Sequence, residues 1–163
     1  MGSLNAAMTL ATEQIDERII LVDDNPDDLL LFQRALTRGG RRSISTFAHP
    51  QKAVDFLRTL ETAGGENPPG NTWVFCDLKM PELDGFAVLD WIRRQPYLAA
   101  VRFIMVSGCA LQEDVERARN LGADGYIEKT PSARALLQCL QSPSFPATGT
   151  RWERFRAWSA EHE

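Results

Sequence analysis

Trp73-Val74-Phe75-Cys76-Asp77-Leu78-Lys79-Met80-Pro81-Glu82-Leu83-Asp84-Gly85 is the stretch whose reading decides the fold. Its opening apolar run has the character of a strand buried on both faces, as in parallel sheets covered by helices. The run closes on a carboxylate, and Asp84-Gly85 then marks a helix start. Three other stretches follow the same plan. Arg18-Ile19-Ile20-Leu21-Val22 closes on Asp23-Asp24, Val101-Arg102-Phe103-Ile104-Met105-Val106 on Ser107, and Gly125-Tyr126-Ile127-Glu128 on Lys129.

Around these runs, strand and helix patterns alternate along the chain. Asp24-Asn25-Pro26-Asp27 caps a helix with apolar positions Leu29, Leu30, Phe32 and Leu36, and Gly39-Gly40 ends it. Ser43 to Ala48 reads as a second strand, His49 to Leu60 as a second helix, and the glycine- and proline-rich segment from Ala63 to Asn71 as an exposed loop. The third helix runs from Asp84-Gly85 through Phe86, Leu89, Trp91 and Ile92 to Pro96. A polar fourth helix, Leu111 to Leu121, is stopped by Gly122, and Thr130-Pro131 supplies the N-cap and first turn of a fifth, ending near Gln141. Right-handed crossovers leave few topologies. The expectation is an α/β fold, a doubly wound five-stranded parallel sheet in the flavodoxin-like order 2-1-3-4-5, with helices on both faces. The carboxyl ends of its strands form a crevice where strand order reverses, so Asp23, Asp24, Asp77, Ser107 and Lys129 are expected to converge there.

The 163 residues predict one domain, residues 15–142, with a flexible lead-in at 1–14 and a linker plus short amphipathic helix at 143–163. A formal net charge of -4 gives no electrostatic reason for nucleic acid as the main partner. No apolar run reaches the ~18 residues of a membrane span, and the opening segment lacks the basic flank and apolar core of a signal peptide. A cytoplasmic location is expected. Cys76, Cys109 and Cys139 are scattered without a CxxC pair, which predicts reduced thiols and no thiolate zinc site. With only His49 and His162 as histidines, a metal here must be held by oxygen.

Several carboxylates in one crevice repel one another unless they are protonated or bridged by a cation. Magnesium suits them, with manganese as a substitute, because it prefers oxygen ligands and keeps several waters. Asp24 and Asp77 would bind it directly and Asp23 largely through water. A free Asp77 oxygen could then attack phosphorus and form an aspartyl phosphate. Phosphoryl transfer asks mainly for positioning and charge stabilisation. Magnesium and the Lys129 ammonium supply charge, while the Ser107 hydroxyl and the loop amides after Asp77, at Lys79 and Met80, supply donors. Each residue alone has a plainer explanation, such as a helix cap for Asp23-Asp24 or a solvated lysine for Lys129. The joint pattern at the ends of different parallel strands is what points to a site.

From about Arg18 to Leu140 the chain resembles the receiver domain of bacterial two-component response regulators, of the chemotaxis-regulator type. Asp23-Asp24, the stretch Asp77 to Gly85, Ser107 and Lys129 match in order and spacing. The resemblance implies that Asp77 is the phosphoacceptor, served by a histidine kinase or phosphotransfer protein. It implies that Asp24, Asp77 and the Lys79 carbonyl hold magnesium with support from Asp23, and that Lys79, Met80 and Gly108 offer backbone contacts to the phosphoryl group. Ser107 and Tyr126 would form a switch pair, the hydroxyl moving toward the phosphoryl group and the ring turning inward behind it. In two places the chain departs from the family pattern. Thr130 intervenes between Lys129 and Pro131, which predicts a trans Lys129-Thr130 bond, because a non-proline cis bond costs ~2.5–4 kcal/mol. Gly108 replaces the commoner alanine, and the missing methyl would open the phosphoryl group to water.

Only about twenty residues follow the fifth helix, too few for a helix-turn-helix output domain. Among them, Trp152, Phe155 and Trp158 interleave with Arg151, Arg154 and Arg156 at helical spacing. The expectation is a stand-alone, non-enzymatic regulator with slow self-phosphorylation and self-dephosphorylation, signalling through an unknown downstream protein. Its altered surface would be the fourth helix, fifth strand and fifth helix, Leu111 to Gln141. A homodimer through that face or through the C-terminal helix is a further expectation, and direct DNA binding is not expected. Two other classes stay open. A phosphate relay or sink without output partner has the same sequence. An aspartate-nucleophile phosphatase of the haloacid dehalogenase type would need an acid two residues after Asp77, where Lys79 stands.

Overall fold

The computed structural model describes residues 17–62, 72–129 and 133–141. The apolar runs form the strands β1 (Arg18–Val22), β2 (Ser43–Phe47), β3 (Thr72–Asp77), β4 (Arg102–Ser107) and β5 (Gly125–Glu128). Between and after them lie α1 (Pro26–Arg38), α2 (Pro50–Thr62), α3 (Gly85–Arg93), α4 (Gln112–Asn120) and α5 (Arg134–Gln141), with a 3-10 turn at Pro96–Leu98. All strand pairs are parallel and the sheet order is β2-β1-β3-β4-β5, as expected. Because β1 pairs with both β2 and β3, the chain reverses its winding at β1/β3, and Val22 lies opposite Cys76 there.

Alternation along the strands builds two cores. On one face Ile20, Val22, Val74, Cys76, Phe103 and Met105 pack with Leu57 of α2, Leu89 and Ile92 of α3, and Ala118 of α4. On the other, Ile19, Leu21, Trp73, Phe75, Ile104 and Val106 pack with Phe32 and Leu36 of α1 and Leu136 of α5. A fully buried aliphatic side chain of this kind contributes roughly 1.5–3 kcal/mol, so the hydrophobic double layer is what fixes where the strand ends point.

Local chemistry sets the helix starts. The Asn25 side chain accepts from the Asp27 amide at 2.9 Å, with Pro26 in the first turn of α1. Asp84 caps α3 in the same way, accepting from Ala87 N–H at 2.9 Å. Gly122, at φ +93, turns the chain after α4 toward β5. Gly85 answers a different need. A Cβ at Gly85 would lie 2.5 Å from the Asp77 carbonyl oxygen and 2.7 Å from Met105 Sδ, so only glycine lets α3 start against the end of β3.

Several expected boundaries shift by a residue or more, and three of the shifts are instructive. The third helix ends at Arg93, and Pro96, which has no N–H for the α ladder, opens a 3-10 turn instead. β5 closes at Glu128, one residue before Lys129. α5 begins only at Arg134, directly after Ala133 at φ +51, a left-handed conformation that a continuous helix cannot contain. The expected cap at Thr130-Pro131, the Lys129-Thr130 bond, the loop at 63–71, the lead-in and the C-terminal helix all lie outside the described residues. Among the described residues, no helix is long and apolar enough to cross a membrane. Cys76 and Cys139 are buried free thiols and Cys109 is an exposed one. Burial pushes the Cys139 thiol up to about 12, which keeps it protonated.

Candidate functional site

Parallel register delivers the acids to one end of the sheet. Asp77 is the last residue of β3, and its neighbour Leu78 donates its N–H to Val106 O at 3.0 Å. Asp23 follows β1 and is tethered by its own amide, which donates to Phe47 O at 3.1 Å. Its carboxylate in turn accepts from Asn25 N–H at 2.9 Å. Carboxylate oxygens of Asp23, Asp24 and Asp77 all lie within 4.8 Å of one another. Asp23 and Asp77 are buried, whereas Asp24 is exposed at the rim.

Lys129 enters this cluster from beyond β5. Its Nζ is 2.7 Å from Asp23 Oδ2, 2.9 Å from Asp28 Oδ2 and 3.3 Å from Asp77 Oδ1. Burial works against its charge, but the hydrogen bonds it donates to Asp23 and Asp28, and the charges of Asp23 and Asp77, outweigh that and hold its pKa above the ordinary lysine value. Burial and the neighbouring Asp23 carboxylate push Asp77 up to about 6, against partial relief from Lys129. Burial likewise raises Asp23, with the hydrogen bond from Lys129 opposing. The site therefore concentrates more negative charge than its one lysine offsets, and its donors are hard oxygens. Both properties fit a divalent cation of the magnesium type.

Ser107 is the buried last residue of β4, and Asp77 pairs with Val106, one residue before it. The Ser107 hydroxyl accepts a long hydrogen bond, 3.5 Å, from Cys109 N–H. Tyr126 pairs with Met105 in the sheet, and its ring is buried in the core on the α3 side. The phenol donates to the Cys109 carbonyl at 3.2 Å. Burial raises its pKa, with the Ser107 hydroxyl opposing. The ring thus already sits inward and is tied to the loop after β4. Met80 is buried, whereas Lys79 and Gly108 are exposed. Around a Cβ at Gly108 nothing lies within 4 Å. Leu78, Lys79, Met80, Asp84, Phe86 and Asp114 line an open groove of about 480 Å³ beside the site.

Asp28 escaped the sequence reading. In the chain it belongs to the first turn of α1 and looks like an acid favouring a helix N-terminus. A tandem Asp-Asp after a capping Asn-Pro was the available signal, but nothing local shows that one carboxylate faces a lysine 101 residues away.

These observations define an acidic, lysine-bearing crevice at the switch point of a doubly wound sheet. A family model described as the response regulator receiver domain matches residues 19–141, and the chain belongs to this family, the signalling module of two-component systems. The probable methanogenesis regulatory protein FilR2 of Methanothrix harundinacea is 31% identical over 124 residues, covering 76% of this chain and 78% of that protein. The phosphorylated cyanobacterial phytochrome response regulator RcpA superposes with a TM-score of 0.62 at 27% identity, over 77% of this chain and 89% of that one. The Mn(2+)-bound form of response regulator Rcp1 shares the fold, with a TM-score of 0.64 at 21% identity, over 82% of this chain and 98% of that one.

Proposed function

We propose that Asp77 accepts a phosphoryl group from the phosphohistidine of a histidine kinase or phosphotransfer protein, and that the change is read out by protein contact. The carrying observation is the placement of Asp77, whose Oδ1 is 3.3 Å from Lys129 Nζ and which offers a carboxylate oxygen within 4.8 Å of those of Asp23 and Asp24. The Asp77 Oδ–P bond forms as the P–N bond of the donor breaks, and the imidazole leaves with the electron pair and takes up a proton. Lys129 and the Ser107 hydroxyl donate to the phosphoryl oxygens, together with amides at Lys79, Met80 and Gly108. Asp24, Asp77 and the Lys79 carbonyl, with Asp23 through water, would hold magnesium or manganese, which supplies positive charge for the phosphoryl oxygens.

The added charge of about -1.5 to -2 at Asp77 draws on Ser107, and Ser107 and Tyr126 form the switch. Because both meet at Cys109, a shift of the hydroxyl is passed to the loop that leads into α4. The altered surface is then α4, β5 and α5, which faces a downstream protein or a second copy of the chain. A phosphate sink is the second reading. It is favoured by Gly108, whose open flank leaves the phosphoryl group accessible to water.

Native mass spectrometry with magnesium and a small acyl phosphate, on wild type and Asp77→Asn, tests the proposal. A phosphoryl adduct confined to wild type supports it, and an equal adduct on Asp77→Asn overturns it. Capture of a partner only by the phosphorylated form separates signalling from a sink.

A further inference from the structure

We infer that Asp28 is a positioning residue for phosphoryl transfer, holding the Lys129 ammonium on the α1 side of the crevice in competition with the phosphoryl group entering at Asp77. The inference rests on Asp77 being the phosphoacceptor.

An ammonium has three N–H donors, and Lys129 Nζ has three carboxylates around it. Asp23 and Asp28 take the short contacts, 2.7 and 2.9 Å, and Asp77 the longest, 3.3 Å. Asp23 and Asp77 also belong to the oxygen cluster that suits a cation, and Asp28 does not. The Asp28 carboxylate is therefore directed at the lysine alone among the groups of the site. Its side chain is 29% exposed, against 4% for Asp23 and 8% for Asp77, so it is the partner that water can most readily replace.

A phosphoryl group on Asp77 brings new anionic oxygens beside the ammonium, which must then give up a contact to donate to them. Releasing Asp28 is the exchange with the smallest desolvation penalty, because a partly exposed carboxylate regains its hydration. Asp28 thus opposes the transition state of phosphorylation, where the Lys129 contact is being made. Hydrolysis starts after the ammonium has already moved, so Asp28 has little influence on it. A purely structural first-turn acid would act otherwise. It would favour the α1 N-terminus slightly and have no dependence on Lys129.

The test is a set of phosphorylation and hydrolysis rates with an acyl phosphate and magnesium, followed by intact-protein mass spectrometry at low ionic strength. Asp28→Asn is expected to be phosphorylated about two- to fivefold faster than wild type, the range of a partly exposed ion pair. Its hydrolysis rate should stay within about twofold of wild type, since the transferred group already holds the lysine. The acceleration should shrink with added salt, and Asp28→Glu should return to the wild-type rate. In a Lys129→Ala background, followed for longer, Asp28→Asn should change nothing. Equal acceleration in that background would show a general charge effect on an anionic donor and overturn the assignment, as would an unchanged or slower rate in Asp28→Asn alone. An adduct absent from wild type itself would remove the phosphoacceptor reading and this inference together. An adduct present in wild type but insensitive to Asp28 removes only the latter.

Discussion

The Arg93 guanidinium donates to the Asp124 carboxylate at 2.8 Å, joining the last turn of α3 to the residue that precedes β5. The same carboxylate accepts from Phe103 N–H at 2.7 Å, while Arg93 also donates to Val101 O and Gly122 O. This link sits at the amino end of β4 and β5, away from the crevice. Asp124 is 1% exposed, so its charge is stabilised by these donors rather than by water. Replacing Asp124 by Ala leaves the guanidinium and the Phe103 amide without that acceptor and should cost about 3 kcal/mol in urea unfolding. Phosphorylation of the folded fraction should be retained.

Gly85 and Gly108 flank the site with opposite steric margins. A methyl at Gly85 would meet the Asp77 carbonyl at 2.5 Å and Leu78 Cα at 3.0 Å, both backbone atoms that cannot rotate away. Gly85→Ala should destabilise by roughly 1–3 kcal/mol and displace the chain at Asp77. Weaker magnesium binding, measured by titration, should accompany the loss.

At Gly108 a methyl meets nothing within 4 Å. Gly108→Ala should therefore leave the unfolding midpoint nearly unchanged and slow the loss of the phosphoryl group by covering its open side. A dephosphorylation rate identical to wild type would remove this role.

The pH dependence of stability carries the signature of Asp77. Burial and Asp23 raise its folded-state pKa from 3.8 to about 6, so the folded protein binds a proton more tightly than the unfolded chain does. The resulting stability is fully present below about pH 4 and is lost as pH rises through about 6, by at most about 3 kcal/mol. The raised Asp23 acts in the same direction. Lys129 is raised above its ordinary value as well, so its contribution persists through neutral pH and fades only at alkaline pH. With metal chelated, the difference in unfolding free energy between Asp77→Asn and wild type should grow in favour of the variant from pH 4.5 to 7.5. Magnesium should reduce it, because a cation favours the ionised carboxylate.

Much of this protein was legible from short windows of sequence. The runs at Ile19, Val74 and Phe103 are apolar without interruption because helices cover both faces of the sheet. Asn25-Pro26 and Asp84-Gly85 announce their helices through hydrogen bonds that span two or three residues. Acids at the ends of such strands have to meet, since parallel strands share a carboxyl end. Windows of this kind say nothing about the start of α5, which follows Ala133 at φ +51 where a Thr-Pro cap suggested an earlier turn.

What the sequence determined by itself was the order of elements and most of the groups at the crevice, because these rest on periodicity or on capping within a few residues. Only the tertiary structure decided which partners those groups take. Asp28 reaches Lys129 because α1 packs over the same face of the sheet as α5, Arg93 reaches Asp124 across the β4–β5 end, and the Tyr126 phenol meets Cys109 because its ring is buried. Such contacts join positions up to 101 residues apart. They depend on how whole helices settle on the two hydrophobic layers, a property no local pattern of residues contains.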